Sequence, residues 1–224
     1  MLNKVTFTGI DNKVKITELE NLYKKYPFIE FGFLVSENNT NKNIENRYPS
    51  LVMLKGFKKK NIPLSLHVCG KLAREIVQHN NWQPLYELMG EYINLFSRIQ
   101  LNIAGTKKLS EDITFPEDKQ VIIQFNTSNT SAYEMYKSEN VVGFQDNSGG
   151  TGKTETTWFE NNDTYFGYAG GIGEENIIEI INSINKIHTG NYWIDMETKI
   201  RTNDKFDIKK CENICEKIKQ NKLI

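Results

Sequence analysis

The stretch YFGYAGGIGEENIIEIINSINKIHTGNYWIDM (residues 165–196) decides the fold, because it reads as one strand–helix–strand unit. Residues 165–169 are a short apolar run, the length of a strand buried on both faces. Gly170-Gly171-Ile172-Gly173 then turns the chain. Across 174–187, Ile177, Ile180, Ile181, Ile184 and Ile187 share one helical stripe. Residues 192–196 are apolar again. A strand, a crossover helix and a second strand of these lengths predict two parallel neighbours with a helix packed over them.

The same alternation continues outward. Further strands are expected at 5–10, 28–35, 62–68, 96–103, 120–126 and 141–145. Helices are expected at 16–26, 50–60, 71–79, 83–94, 131–137 and 207–219. Residues 38–46 form an Asn-rich loop and 105–118 a polar connection. Eight strands alternating with helices over 224 residues fit an α/β fold of one kind. It is a single parallel, eight-stranded (β/α)8 TIM barrel spanning 1–224, rather than an open doubly wound sheet. No linker or compositional break divides the chain.

Lys and Arg total 28, as do Asp and Glu, so the formal net charge is zero. That balance supplies no global field toward nucleic acid or an anionic membrane, and neither is expected as a partner. No run reaches the roughly 18 apolar residues of a membrane span. The pattern leaves the oligomeric state open. The three cysteines, Cys69, Cys211 and Cys215, are an odd and sparse set without a signal peptide, which predicts a cytoplasmic protein. Cys211 and Cys215, four apart on the closing helix, read as packing. His67, His79 and His188 are scattered and no carboxylate pair has ligand spacing, so no metal is expected. Nothing in the sequence requires a cofactor. Lys58, Lys59 and Lys60 read as a solvated helix end.

In such barrels the chemistry sits where strands end and βα loops begin. The polar residues there are Thr6, Thr8, Ser36, His67, Cys69, Gln100, Asn102, Gln124, Asn126, Asp146, Glu197, Lys199 and Arg201. Polar groups inside a barrel are costly unless paired, so they serve either a ligand or a plug that satisfies itself. Two glycine clusters add backbone donors for an anion: 148–154 after the sixth strand, and Gly170-Gly171-Ile172-Gly173 before a helix. Gly152-Lys153-Thr154 is not a Walker A loop. Asn147 stands where that motif needs glycine, and 155–163 has no helical stripe.

Asp146, Gly149-Gly150-Thr151-Gly152 and Trp158, followed by Ala169-Gly170-Gly171-Ile172, Glu175-Asn176 and Asp195, resemble phosphoribosylanthranilate isomerase of tryptophan synthesis. Thr8-Gly9, Arg47-Tyr48 and Gln100-Leu101-Asn102 extend the likeness into the first half. A closer likeness is to an uncharacterised group of isomerase-like barrels. Residues 26–30, 47–50, 66–70, 98–102, 167–171 and 192–197 carry it. The resemblance implies a barrel that binds a phosphorylated substrate, with the Gly170-Gly171 pair opening a phosphate-binding helix. It also implies a general base at position 8 and a general acid at Asp146 for an Amadori rearrangement. This chain departs from the family at both ends of that scheme. Thr8 replaces the cysteine base, and a threonine hydroxyl is not a competent base at neutral pH without a strong neighbour. Glu197-Thr198-Lys199 replaces a Ser-Ser-Gly phosphate loop; Glu197 would repel a phosphate, with Lys199 or Arg201 to compensate.

Two readings follow. In one, the chain is an isomerase or lyase acting on a small phosphorylated or nucleotide-like molecule, with Asp146 as acid and His67 or Thr8 in the base position. A His67–Cys69 pair is a further nucleophile candidate. In the other, it binds or sequesters such a molecule without turnover. A third, the tryptophan-pathway isomerase itself with a substituted base, is the narrower form of the first. In each, the ligand contacts are drawn from Arg47, Gln100, Asn102, Gln124, Asn126, Gly149, Gly150, Gly170, Gly171, Asp195, Glu197, Lys199 and Arg201.

Overall fold

The computed structural model describes residues 1–42, 47–103, 106, 109–126, 135–136, 138–148, 153–154, 156–160 and 164–224. Its sheet is a closed barrel of eight parallel strands in sequence order. These are β1 (Leu2–Thr8), β2 (Ile29–Val35), β3 (Leu64–Val68), β4 (Arg98–Leu101), β5 (Gln120–Phe125), β6 (Val141–Asp146), β7 (Phe166–Ala169) and β8 (Tyr192–Met196). Strand β8 pairs back onto β1, with Val5 beside Ile194 and Thr6 beside Asp195. Around it lie α1 (Ile16–Lys25), α2 (Lys71–His79), α3 (Gln83–Met89), α4 (Ile177–Ile184) and α5 (Ile208–Gln220).

Period-two alternation in each strand sends one set of side chains outward to the helices and the other into the lumen. The outward set builds the main core: Phe7, Phe31, Phe33, Leu66, Ile99, Ile123, Phe166, Tyr168 and Ile194 pack against Leu19, Ile76, Ile181 and Ile214. The lumen is split. From β5 to β8 it is apolar lower down, filled by Ile122, Val142, Phe144, Ala169 and Trp193, and polar only at the strand ends, at Gln124, Asp146 and Asp195. From β1 to β4 it is polar, with buried Thr6, Thr8, Glu30, Ser65, His67, Arg98 and Gln100. Gly32 makes room there, since a Cβ at that position would fall 2.2 Å from the Thr8 hydroxyl.

Several expected elements differ in detail. The helix expected at 83–94 is α up to Met89 and then a 3-10 segment, Gly90–Leu95, the change falling at Gly90 with φ +52°. The helix at 50–60 is a 3-10 segment, Leu51–Phe57. Most of the helix expected at 131–137 lies outside the described residues. A two-stranded hairpin, β9 (Arg201–Thr202) and β10 (Lys205–Phe206), precedes α5. It turns through Asn203 and Asp204, both with positive φ, as the tight hairpin turn requires. Among the described residues no helix is long and apolar enough to cross a membrane.

Candidate functional site

A narrow cleft opens at the C-terminal ends of the strands. Thr8, His67, Gln100, Asn102, Gln124, Phe144, Asp146 and Asp195 make its floor and walls. Ser148, the Gly170-Gly171-Ile172 turn and the segment Met196 to Lys199 form its rim. Thr8 ends β1, Asp146 ends β6 and Asp195 is the penultimate residue of β8, so strand register alone brings them to one end of the barrel.

Below this cleft lies a second polar cluster. Glu30 accepts from Thr6 Oγ1 at 2.8 Å, pairs with Lys4 Nζ at 3.3 Å and pairs closely with Arg98. Arg98 Nε donates to Gln120 Oε1 at 2.9 Å, and its guanidinium lies 4.2 Å from the Trp193 ring centroid, a cation–π contact. Burial alone would raise the Glu30 carboxyl. Arg98, Lys4 and the Thr6 hydroxyl outweigh it and hold the group below its ordinary range.

The cleft floor is organised by amides. Gln100 Nε2 spends one hydrogen on His67 Nδ1 at 3.2 Å and the other on Asn102 Oδ1 at 2.9 Å. Asn102 Nδ2 in turn donates to Cys69 Sγ at 3.2 Å. With the Gln100 amide so oriented, His67 accepts at Nδ1, so neutral imidazole carries its proton on Nε2. Gln124 Nε2 donates to Asp146 Oδ2 at 2.8 Å, while Ser148 N and Oγ donate to Asp146 Oδ1 at 2.9 and 2.7 Å.

What remains is unpaired. Thr8 Oγ1, His67 Nε2, Gln100 Oε1, Gln124 Oε1 and Asp195 Oδ2 are buried and without a hydrogen-bond partner. His67 Nε2 stands 3.7 Å from Asp195 Oδ2, beyond hydrogen-bond length. Desolvation pushes His67 down to about 3, with Glu30 opposing and Arg98 assisting. Desolvation pushes Asp195 well up, the nearby Thr8 hydroxyl opposing and the charges of Glu197, Glu30 and Asp146 assisting. Burial therefore favours the uncharged form of both.

The structure gathers Thr8, His67, Gln100, Asn102, Gln124, Asp146, Gly170, Gly171, Asp195, Glu197 and Lys199 around the cleft. Gly149 and Gly150 lie outside the described residues. Asn126, just past β5, is half-buried and does not line it. Arg201, expected to grip a phosphate, is turned away. Its guanidinium donates to Gly9 O and, at 2.8 Å, to Asp204 O, and it pairs with Asp11 at 3.4 Å and Asp204 at 3.2 Å. That clamp fixes the β9–β10 hairpin to the loop after β1. Arg47, also expected on the ligand, pairs with Glu197 at 2.8 Å and Asp204 at 3.3 Å, and does not line the cleft. The repulsion expected of Glu197 is thereby reduced. Burial pushes its carboxyl up, while Arg47 and Arg201 pull it down. Lys199 is the one Lys or Arg lining the cleft among the described residues. Its stem packs over Gly173, where a Cβ would fall 2.6 Å from Lys199 Cβ.

The Glu30–Arg98 cluster escaped sequence reasoning, and Ser148, read there as part of the 148–154 anion loop, donates to Asp146 instead. The alternation of β2 and β4 already pointed Glu30 and Arg98 inward, beside Gly32 and Gln100. At Gly171 φ is +60°, and a Cβ there would fall 2.4 Å from Thr154 N, so the chain after β6 lies directly on the glycine turn. Among the described residues no three His, Cys, Asp or Glu side chains group closely enough to hold a metal ion.

No protein-family model matches the chain. No curated protein matches it either. Its fold is similar to that of N-(5'-phosphoribosyl)anthranilate isomerase from Pyrococcus furiosus, with a TM-score of 0.56 at 16% identity over 97% of this chain and 98% of that one. It is also similar to a phosphoribosyl anthranilate isomerase solved with reduced 1-(o-carboxyphenylamino)-1-deoxyribulose 5-phosphate. There the TM-score is 0.55 at 14% identity, covering 98% of this chain and 100% of that one. The chain is a (β/α)8 barrel similar in fold to phosphoribosylanthranilate isomerase.

Proposed function

We propose that this barrel binds a small phosphorylated metabolite or nucleotide-like molecule at the C-terminal ends of its strands, and does so without requiring turnover. One observation carries the reading: five buried polar atoms, on Thr8, His67, Gln100, Gln124 and Asp195, face one cleft with no protein partner. Leaving a buried polar atom unpaired costs about 1–3 kcal/mol, so a self-satisfied plug is the arrangement these residues conspicuously fail to make. The phosphate belongs at the rim, where Lys199 stands beside the Gly170-Gly171-Ile172 turn. A general base is hard to find. Thr8 is a hydroxyl, and His67 is pushed down to about 3 with Nδ1 already engaged.

The second reading, an isomerase or lyase, is favoured by two carboxyls in one cleft with contrasting surroundings. Asp146 is held by Gln124 and Ser148, while burial favours the uncharged form of Asp195. In that reading Asp146 takes the acid role that the likeness to the isomerase implies.

A thermal-shift screen against phosphosugars and nucleotides, run beside Lys199→Ala, tests the first reading. A compound at 100 times its Kd stabilises the native state by about 2.7 kcal/mol, several degrees of melting temperature. The hit should lose its shift in Lys199→Ala. No hit across the panel would remove the phosphate site. Turnover of a hit that vanishes in Asp146→Asn, with binding retained, would replace the binder with the enzyme.

A further inference from the structure

The unpaired atoms of the floor also specify what kind of group they receive, given a phosphate at the rim. Gln100 has spent both of its side-chain N–H donors on neighbours, His67 and Asn102, and Gln124 one of its two, on Asp146. Each therefore turns a bare carbonyl into the cleft. Thr8 Oγ1 and Asp195 Oδ2 add two more oxygens, and His67 Nε2 is the one ring nitrogen left to donate. A hydroxyl both donates and accepts, so a group bearing several hydroxyls satisfies carbonyls and imidazole together. A carboxylate or second phosphate accepts only. On this floor it could accept from His67 Nε2, the Thr8 hydroxyl and an uncharged Asp195, but it would leave both glutamine carbonyls without a donor and meet the carboxyl of Asp146.

Among the described residues no positive charge lines the floor to relieve that clash. Lys199 is at the rim, Arg98 is bound to Glu30 below, and Arg201 is bound to Gly9, Asp11 and Asp204. Arg47, the remaining nearby guanidinium, is paired with Glu197, itself a lining residue.

We infer that the ligand is anionic at one end only: a phosphate at the rim and an uncharged, hydroxyl-bearing group on the floor, with Glu197 enforcing the choice by holding Arg47. This inference rests on the phosphate reading above and adds the class of group that the phosphate carries.

Calorimetric titration of the full chain with sn-glycerol 3-phosphate, 3-phosphoglycerate, D-ribose 5-phosphate and inorganic phosphate tests it. Glycerol 3-phosphate and 3-phosphoglycerate differ in a terminal hydroxymethyl against a carboxylate. The hydroxyl compounds should bind at least about tenfold tighter than 3-phosphoglycerate, the equivalent of one hydrogen bond gained against one repulsion. Glu197→Gln should narrow that ratio by removing the charge that holds Arg47 and leaving Asp204 as an ion-pair partner. Gln124→Met, with its fold checked by circular dichroism, should weaken glycerol 3-phosphate about tenfold and leave inorganic phosphate unchanged. Equal or tighter binding of 3-phosphoglycerate to the unaltered chain overturns the inference while leaving the phosphate site standing. So does a Gln124→Met loss shared by inorganic phosphate. An unchanged ratio in Glu197→Gln overturns the role of that residue. If none of the four compounds binds, the phosphate reading itself falls, and this inference with it.

Discussion

The lumen holds two buried polar clusters, a few residues apart along the same strands, and they are built in opposite ways. The lower one, Lys4, Thr6, Glu30, Arg98 and Gln120, is held by ion pairs and hydrogen bonds, with the Arg98 guanidinium over the Trp193 ring and its Nη2 the one atom of these five residues left buried without a hydrogen-bond partner. The upper one, Thr8, His67, Gln100, Gln124 and Asp195, has hydrogen bonds that position its amides and imidazole but leaves one atom of each residue unpaired. In the lower cluster polarity is structural, because each charge has its counter-charge. In the upper cluster the same chain tolerates open valences at a cost in stability, which is the signature of a site kept ready for something else.

The largest test of this contrast is Arg98→Ala. Removing the buried partner leaves Glu30 with only the partly exposed Lys4 as counter-charge and should cost about 3 kcal/mol, the lower end of the range for breaking a buried pair, read from denaturant unfolding. A loss under about 1 kcal/mol would mean that the lower cluster is not held by its ion pairs.

The pH dependence is intermediate in size. The folded value of His67 lies at about 3, below its ordinary 6.5. Its contribution is therefore fully present above 6.5 and is lost as pH falls toward 3, at up to about 1.4 kcal/mol per pH unit. Burial lowers His188 as well, so the informative comparison is with His67→Gln, in which the acid-side slope should become shallower. Asp195 runs the other way. Its folded value is raised, so its contribution is full below 3.8 and lost as pH rises through the folded value. Asp195→Asn, which stays uncharged, should be more stable than the unaltered chain at pH 7 and equal to it in acid. An Asp195→Asn protein that is less stable at pH 7 would mean that the carboxyl is charged and paired.

The smallest effect is expected at Thr8→Val, a nearly isosteric change that removes an unpaired hydroxyl. Stability should stay within about 1 kcal/mol of the unaltered chain or rise. Affinity for a hydroxyl-bearing phosphate should fall. A stability loss comparable to that of Arg98→Ala would erase the distinction between the two clusters.

The barrel was legible because several strands read as compact apolar runs, as at 165–169 and 192–196, and alternate with helical stripes. Strand ends then follow from register, which is why Thr8, His67, Gln100, Gln124 and Asp146 could be assigned to one face. The fates of the arginines could not. Arg201 meets Gly9 and Asp11 across some 190 positions, and Arg47 meets Glu197 across 150. Such pairings depend on how loops cross the barrel mouth and leave no periodic trace. The Asn203-Asp204 turn was a local signal for the hairpin that carries Arg201 away from the cleft. The split of Gln100 between His67 and Asn102 is likewise set by side-chain direction inside the lumen, where spacing along one strand carries no information.

The central claim is that the upper cluster is open because a phosphorylated, hydroxyl-bearing ligand closes it. A crystal structure of the full chain grown with D-ribose 5-phosphate tests that most directly. The account predicts the phosphate against Lys199 and the Gly170-Gly171-Ile172 turn, with sugar hydroxyls within hydrogen-bond distance of Gln100 Oε1 and Gln124 Oε1. A cleft that holds no sugar, with Thr8, His67, Gln100, Gln124 and Asp195 satisfied among themselves, would contradict it.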